Sequence, residues 1–362
     1  MKVNKKVIIA AILWLICLLI HFYSLNEIRI ETGYSSHFSP SFSRFLRKCL
    51  GGLPFSIGDF LYGLLAFWIS WSCIKFFRQI FRRDRELKRT VYLFHAMLRL
   101  FIFCSSMYII FNIFWGINYN RKGIAWQLRL DMKKYRQSDL EEINCLLIEK
   151  INLSKKTLTV YQIRYPSNKV LYGMVCAAFK NASGQYPFLA YQPSSLKTSM
   201  WGWLGNYTGF TGYYNPFTGE AQLNTTVPKF LHPFIACHEV AHQLGYAKEM
   251  EANFVGYLAA SASSDPGFRY SVYLDLFTYA NRNLFLQDSA TAKLYRRELD
   301  TAVIADLKEW ARFNRKHQSP VEPVVRWIYG KYLEGNSQPQ GLLSYDEVTA
   351  FIISYYKKFG KI

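Results

Sequence analysis

Apolar residues crowd the first third of the chain into three blocks, at 7–25, 53–74 and 100–117. Each is close to the roughly 20 residues a helix needs to cross a hydrocarbon core. From residue 118 the pattern changes to that of a water-soluble domain of 245 residues, an ordinary size for one folding unit. Within it, SDLEEINCLLIEKI at 138–151 spaces its apolar positions at three and four, which predicts an amphipathic helix opened by a capping box of Ser138 and Glu141. NKVLYGMVCAAFKNA, at 168–182, predicts another helix. Between 186 and 228 aromatic-rich runs alternate with glycines, and GEAQLN alternates polar with apolar, so strands and turns are expected there. After Pro233 helical spacing returns and persists to SYDEVTAFIISYYKKF near the end, where Ser344 and Glu347 predict a second capping box. The fold class expected is a membrane region of three transmembrane helices (1–117) followed by a mainly helical α+β domain with a small sheet (118–362).

Composition agrees with that division. Hydrophobic residues are 51% and charged ones 19%, too apolar for one soluble globule and too charged for a pure membrane bundle. The net charge of +19 raises nucleic acid as a partner, but the basic residues form no stripe and no nucleic-acid-reading module accompanies them, so that class is set aside. The densest basic run, KFFRQIFRRDRELKR at 75–89, lies between the second and third apolar blocks and is expected on the cytoplasmic side. Lys2, Lys5 and Lys6 place the N-terminus on that side too, which leaves everything after about residue 118 outside the cytoplasmic membrane. Arg44, Arg47 and Lys48 run against this orientation. Asp59 is expected near the outer end of the second span, in an interfacial or packing role. The first block is read as a retained anchor, because no small-residue cleavage site follows it. Of seven cysteines, Cys17, Cys73 and Cys104 lie in apolar blocks and the others show no CxxC spacing, so packing is the expected role for each.

The chemistry gathers in ACHEVAHQLGYAKEMEANF, at 236–254. His238, Glu239 and His242 form H-E-x-x-H. Residues four apart share a helix face, so both imidazoles reach one cation, while Glu239 points past it toward a water whose proton it can take. Pro233 suits the first turn of such a helix and Gly245 the residue after its end. The chain then returns as a second helix carrying Glu249 and Glu251. These lie about 200° apart in helical phase, so one of them is expected to face the ion, and Glu249 is favoured because Asn253 shares its face. Two imidazoles and one carboxylate leave tetrahedral zinc an open position, the hallmark of catalytic sites. The competing reading is a solvated helix carrying the motif by accident. His232 is expected to cap or lie at the surface. Trp201, Trp203, Tyr207, Phe210, Tyr213 and Tyr214 are expected mostly to pack in the core or at the surface, with one tyrosine a candidate to stabilise an oxyanion beside the metal.

CHEVAHQLGYAKEMEANFVGYLA resembles the zincin peptidases that use a glutamate third ligand, and more closely an uncharacterised bacterial membrane family assigned to that clan. WGINYNR at 115–121, YYNPFTGEAQLN at 213–224 and SYDEV at 344–348 carry the same likeness. In the gluzincins the last ligand opens an E-x-x-A-D run; here Glu249-Met250-Glu251-Ala252-Asn253 has Asn in the final place. The resemblance implies a zincin-like domain, zinc on His238, His242 and Glu249, Glu239 as catalytic base, and a peptide or protein substrate. It also implies that residues 220–224 form a sheet-edge strand beside the active-site helix. A non-catalytic envelope sensor that keeps the metal domain is the alternative function.

Overall fold

The computed structural model describes residues 5–81, 86–132, 134–345 and 347–362. About three-quarters of it is helical. Three helices are long and apolar enough to cross a membrane: Lys5–Ser24, Ile57–Ile80 and the Thr90–Phe114 part of Glu86–Phe114. They pack on one another through Trp68 against Phe103, with ring centroids 5.0 Å apart, and through the Cys17 thiol against the Ser105 carbonyl. Otherwise they bury almost nothing, as expected of surfaces meant for lipid rather than water.

The boundaries differ from the apolar pattern for local reasons. The second helix starts at Ile57 because the Ser56 hydroxyl accepts from the Asp59 amide and caps it. The third begins well before residue 100 and stops at Phe114, where Trp115, with φ near −160°, leaves the helical region and Gly116–Asn120 tightens into a 3-10 turn. Ser24, Ile57 and Phe114 all lie at the domain, so the helices alternate in direction and Lys5 and Ile80 lie at the far end. Residues 82–85 of the basic run, and Lys2, lie outside the described residues.

The segment between the first two spans is not a loop. Glu27–Arg29, the π-helix Ile30–Phe38 and the helix Ser39–Leu50 fold onto the C-terminal domain, whose packed body therefore begins well before residue 118. Arg47 is buried there. Its Nε donates to the Pro193 carbonyl (2.8 Å), its Nη1 to the Gln243 carbonyl (3.2 Å), and its guanidinium lies over the Tyr191 ring. This cation is held by carbonyls and an aromatic face, which explains one member of the basic cluster that runs against the orientation rule.

In the domain, the motif helix His232–Gln243 and the return helix Glu249–Ser261 form the centre, buried along nearly their whole length. Gln137–Val160, Asn168–Gln185, Pro266–Gln287 and Val348–Phe359 surround them. Gln137–Val160 starts one residue before the expected position, and so the cap shifts: the Arg136 amide donates to Asp139 (2.8 Å) and Glu141 plays no part. In the expected box at 344–347, Asp346 and the Ser344 side chain lie outside the described residues.

The sheet has three strands, β1 Leu196–Thr198, β2 Gly212–Asn215 and β3 Glu220–Leu223, in the order β1-β3-β2. β3 runs parallel to β1 and antiparallel to β2. The expectation that 220–224 is an edge strand is therefore corrected. β3 is paired on both sides and wholly buried, and its alternating pattern reflects a polar core rather than solvent. Glu220 faces the second span, where it accepts from the Ser56 hydroxyl and from the Ile57 and Gly58 amides, placing a carboxylate at a helix N-terminus. Asp59 accepts from the Met200 amide (2.6 Å) and the Tyr213 hydroxyl, a packing role as expected.

Candidate metal centre

The motif helix brings its two histidines onto one face through their spacing of four. Pro233 sits in the first turn, where it costs no hydrogen bond. At the other end Gly245, with φ +86°, takes the left-handed conformation that turns the chain back, and its amide donates to the His242 carbonyl (3.0 Å). Four residues later the return helix opens with Glu249, whose backbone amide is met by the Gln338 side chain (2.9 Å).

The result is a tight triangle. His238 Nε2 and His242 Nε2 are 3.1 Å apart, and Glu249 Oε2 lies 3.2 Å from the first and 3.5 Å from the second. A tetrahedral zinc with ligands at about 2.0–2.1 Å sets its donor atoms about 3.3 Å from one another, so these residues fit the ion without rearrangement. The Tyr246 carbonyl lies 2.7 Å from His242 Nδ1. A carbonyl only accepts, so Nδ1 carries the hydrogen and Nε2 turns its lone pair into the triangle. Three electron-rich atoms at this separation, largely withdrawn from water, call for a positive charge between them. Without a cation a proton takes that place. Burial opposes charge on His238, yet the hydrogen bond it donates to Glu249 and the neighbouring carboxylates hold its pKa up to about 9. Burial likewise opposes charge on Glu249, but the two imidazoles hold it well below the usual carboxylate range. Asn253 contributes a further hydrogen bond to His238, as its shared face with Glu249 predicts.

Glu239 stands beside the triangle. It is buried, and its Oε2 meets no hydrogen-bond partner among the described residues. Desolvation raises its pKa to about 7 despite the two histidines, which act to lower it. The first residue of β2 touches it: a Cβ on Gly212 would fall 2.6 Å from Glu239 Oε1 and 2.9 Å from its Cγ, so only glycine lets the strand run this close. Glu251 points elsewhere. Its carboxylate packs against Gly123, where a Cβ would sit 1.7 Å from Oε1, and it feels the charges of Lys248 and Arg121.

A cavity of about 320 Å³ opens over His238 and Glu239 and is lined further by Gly212, Asp275, Arg326 and Tyr329. Tyr329 and Asp275 escaped the sequence. The Tyr329 hydroxyl donates to Glu249 Oε1 (2.6 Å), steadying the carboxylate from a helix 80 residues downstream with no local signature. Asp275 Oδ2 meets no partner among the described residues and desolvation raises its pKa to about 7. Of the aromatic cluster, Phe210 lines the cavity, whereas Trp201, Trp203 and Tyr207 stand in contact with solvent. His232 is buried rather than at the surface, bonded through Nε2 to the Val227 carbonyl (2.9 Å), and takes no part in the site.

The WGINYNR run ties the spans to this centre. The Trp115 indole donates to the His242 carbonyl (3.0 Å), and Asn118 donates to Ser39 and accepts from Ser35. Arg121 forks onto Glu31, at 2.7 and 3.0 Å, and reaches the Gly245 carbonyl with its other nitrogen (3.2 Å).

These features define a class: a mainly helical protein with three helices apolar and long enough for a membrane, joined to a buried His–His–Glu cluster. The chain belongs to the DUF3810 family, described as a protein of unknown function, which it matches over residues 34–353. The match takes in the segment between the first two spans from residue 34 onward, the second and third spans and the whole cluster. No curated protein and no solved structure matches the chain.

Proposed function

We propose that the protein is a membrane-anchored zinc-dependent hydrolase of peptide or amide bonds, with its domain outside the cytoplasmic membrane and its N-terminus inside. The observation that carries the reading is the 3.1–3.5 Å triangle of His238, His242 and Glu249 with the desolvated Glu239 at its side. A zinc ion held there would supply Lewis acidity and make a water acidic near neutral pH. Glu239 takes the proton from water and delivers it to the leaving nitrogen, a task its raised pKa suits. β2, one of the two outer strands of the sheet, lies against Glu239, where an extended peptide can add through main-chain hydrogen bonds. The placement of Lys5 and Lys6 at the end of the first span away from the domain supports the orientation.

The test is metal content. The full chain, purified in detergent, is expected to hold one zinc per molecule, and His242→Ala to hold none. A wild-type chain that takes up no zinc on titration overturns the proposal. The full chain is needed because a fragment starting at residue 118 would leave Arg121 without Glu31. Tyr329→Phe keeps the ring but removes the hydroxyl that steadies Glu249, and is expected to weaken zinc retention by about 10- to 100-fold in chelator competition.

A further inference from the structure

The helix Glu322–Gly335 has two unlike sides. Arg326 and Tyr329 line the cavity. On the other side Val321, Val324, Trp327 and Ile328 are 53–65% exposed. Their spacing gathers them within about 120° of arc, the stripe of an amphipathic helix whose apolar half has nothing against it among the described residues. The short helix Gly202–Thr208 stands beside it with Trp203, Leu204 and Tyr207 exposed in the same way. The segment leading into the longer helix fastens them together: Ser319 donates to the Tyr207 carbonyl (2.7 Å), and the His317 ring meets Tyr207 edge-on at 5.2 Å.

Both helices abut the domain-side ends of the spans. Tyr332 packs edge-on against Phe111 in the last turn of the third span, at 6.3 Å. Trp201 covers Gly63 of the second span, where a Cβ would lie 3.2 Å from its ring, and its indole donates to the Asp59 carbonyl (3.1 Å). The exposed apolar faces are thus continuous with the lipid-facing surface of the spans. Trp and Tyr at that level are the residues that settle at headgroup depth.

We infer that these two helix faces are seated in the headgroup layer of the bilayer that holds the spans, as an interfacial platform of the domain itself. The inference rests on the membrane part of the proposed function and not on the metal. Thr208 and Tyr329 line the cavity from these same two helices, so the cavity lies directly behind the platform, beside the bilayer surface. On the hydrolytic reading, the substrates are then polypeptide segments held at that surface.

Collision of a nitroxide with oxygen or with a water-soluble nickel chelate tests this. The full chain, with the exposed Cys49, Cys73, Cys104 and Cys145 changed to Ser, is labelled through Val324→Cys, Ile328→Cys or, within the second span, Leu64→Cys. It is then placed in phosphatidylethanolamine–phosphatidylglycerol vesicles. All three sites are outward-facing, so the label disturbs no packing. Oxygen is expected to dominate at 324 and 328 as it does at 64. If the nickel chelate dominates at 324 and 328 while 64 stays lipid-like, the platform is refuted and the spans stand. If both reagents are excluded at 324 and 328, protein covers the face and the inference equally fails. A watery reading at 64 removes the span assignment and the platform with it. Failure of the zinc proposal alone leaves all three readings unchanged.

Discussion

Glu239→Gln is expected to leave zinc content unchanged while lowering hydrolysis by about 10²- to 10⁴-fold, the usual contribution of a positioned general base. The substitution keeps the shape of the side chain and takes away only its capacity to accept and return a proton. Zinc content should hold because Glu239 is not one of the three groups whose donor atoms lie within 4.8 Å of one another. Folding should hold because Oε2 makes no hydrogen bond that an amide would break, and Oε1 sits against the backbone of Gly212, which has no side chain to clash. The readout pairs metal analysis of the purified chain with a comparison of processed surface proteins in cells carrying either form. Identical processing by both forms at equal zinc content would exclude hydrolysis and leave the sensor reading, since a binder has no use for a base beside the ion. A charge-neutral variant that loses its zinc would instead place Glu239 among the ligands.

The His238–His242–Glu249 cluster is legible in the sequence because its parts are close together and obey helix geometry. A spacing of four fixes His238 and His242, a turn glycine fixes the return, and helical phase separates Glu249 from Glu251. The structure adds the reason for that last distinction, since Gly123 leaves a hollow that Glu251 fills. What could not be read was everything that depends on distant segments. Tyr329 reaches Glu249 from across the chain, and a lone tyrosine carries no pattern. Alternation in GEAQLN suggested a half-exposed strand, but its polar residues are spent on Ser56 and the start of the second span, so the strand lies at the centre. The same blindness affected the division at residue 118. Hydropathy separates apolar from polar segments, yet nothing local reveals that 27–56, polar and lying between two spans, is bound into the domain by Glu31 and Arg47.

Glu31→Ala is expected to destabilise the protein by about 3–5 kcal/mol, the cost of leaving one charge of a buried pair without its partner. Glu31 and Arg121 are 2% and 3% exposed, and the Glu31 carboxylate also accepts from the Gly123 amide and the Gln127 side chain, so its loss abandons four donors at once. Desolvation acts to raise the Glu31 pKa, but Arg121 and these donors outweigh it and hold the folded value below the ordinary one. A lowered folded pKa means that the stabilisation is complete above the normal glutamate range, about 4.3, and is lost as pH falls through the folded value. The unfolding midpoint of the wild type should therefore fall on acidification more steeply than that of Glu31→Ala. The effect should also reach the metal. Arg121 holds the Gly245 carbonyl and lies over the Tyr246 ring at 4.7 Å, and the Tyr246 carbonyl fixes the tautomer of His242. Zinc retention should weaken along with stability in both Glu31→Ala and Arg121→Ala, and in the double variant the stability losses should fall well short of their sum. Additive losses with unaltered zinc would show that the junction merely anchors the domain and does not shape its centre.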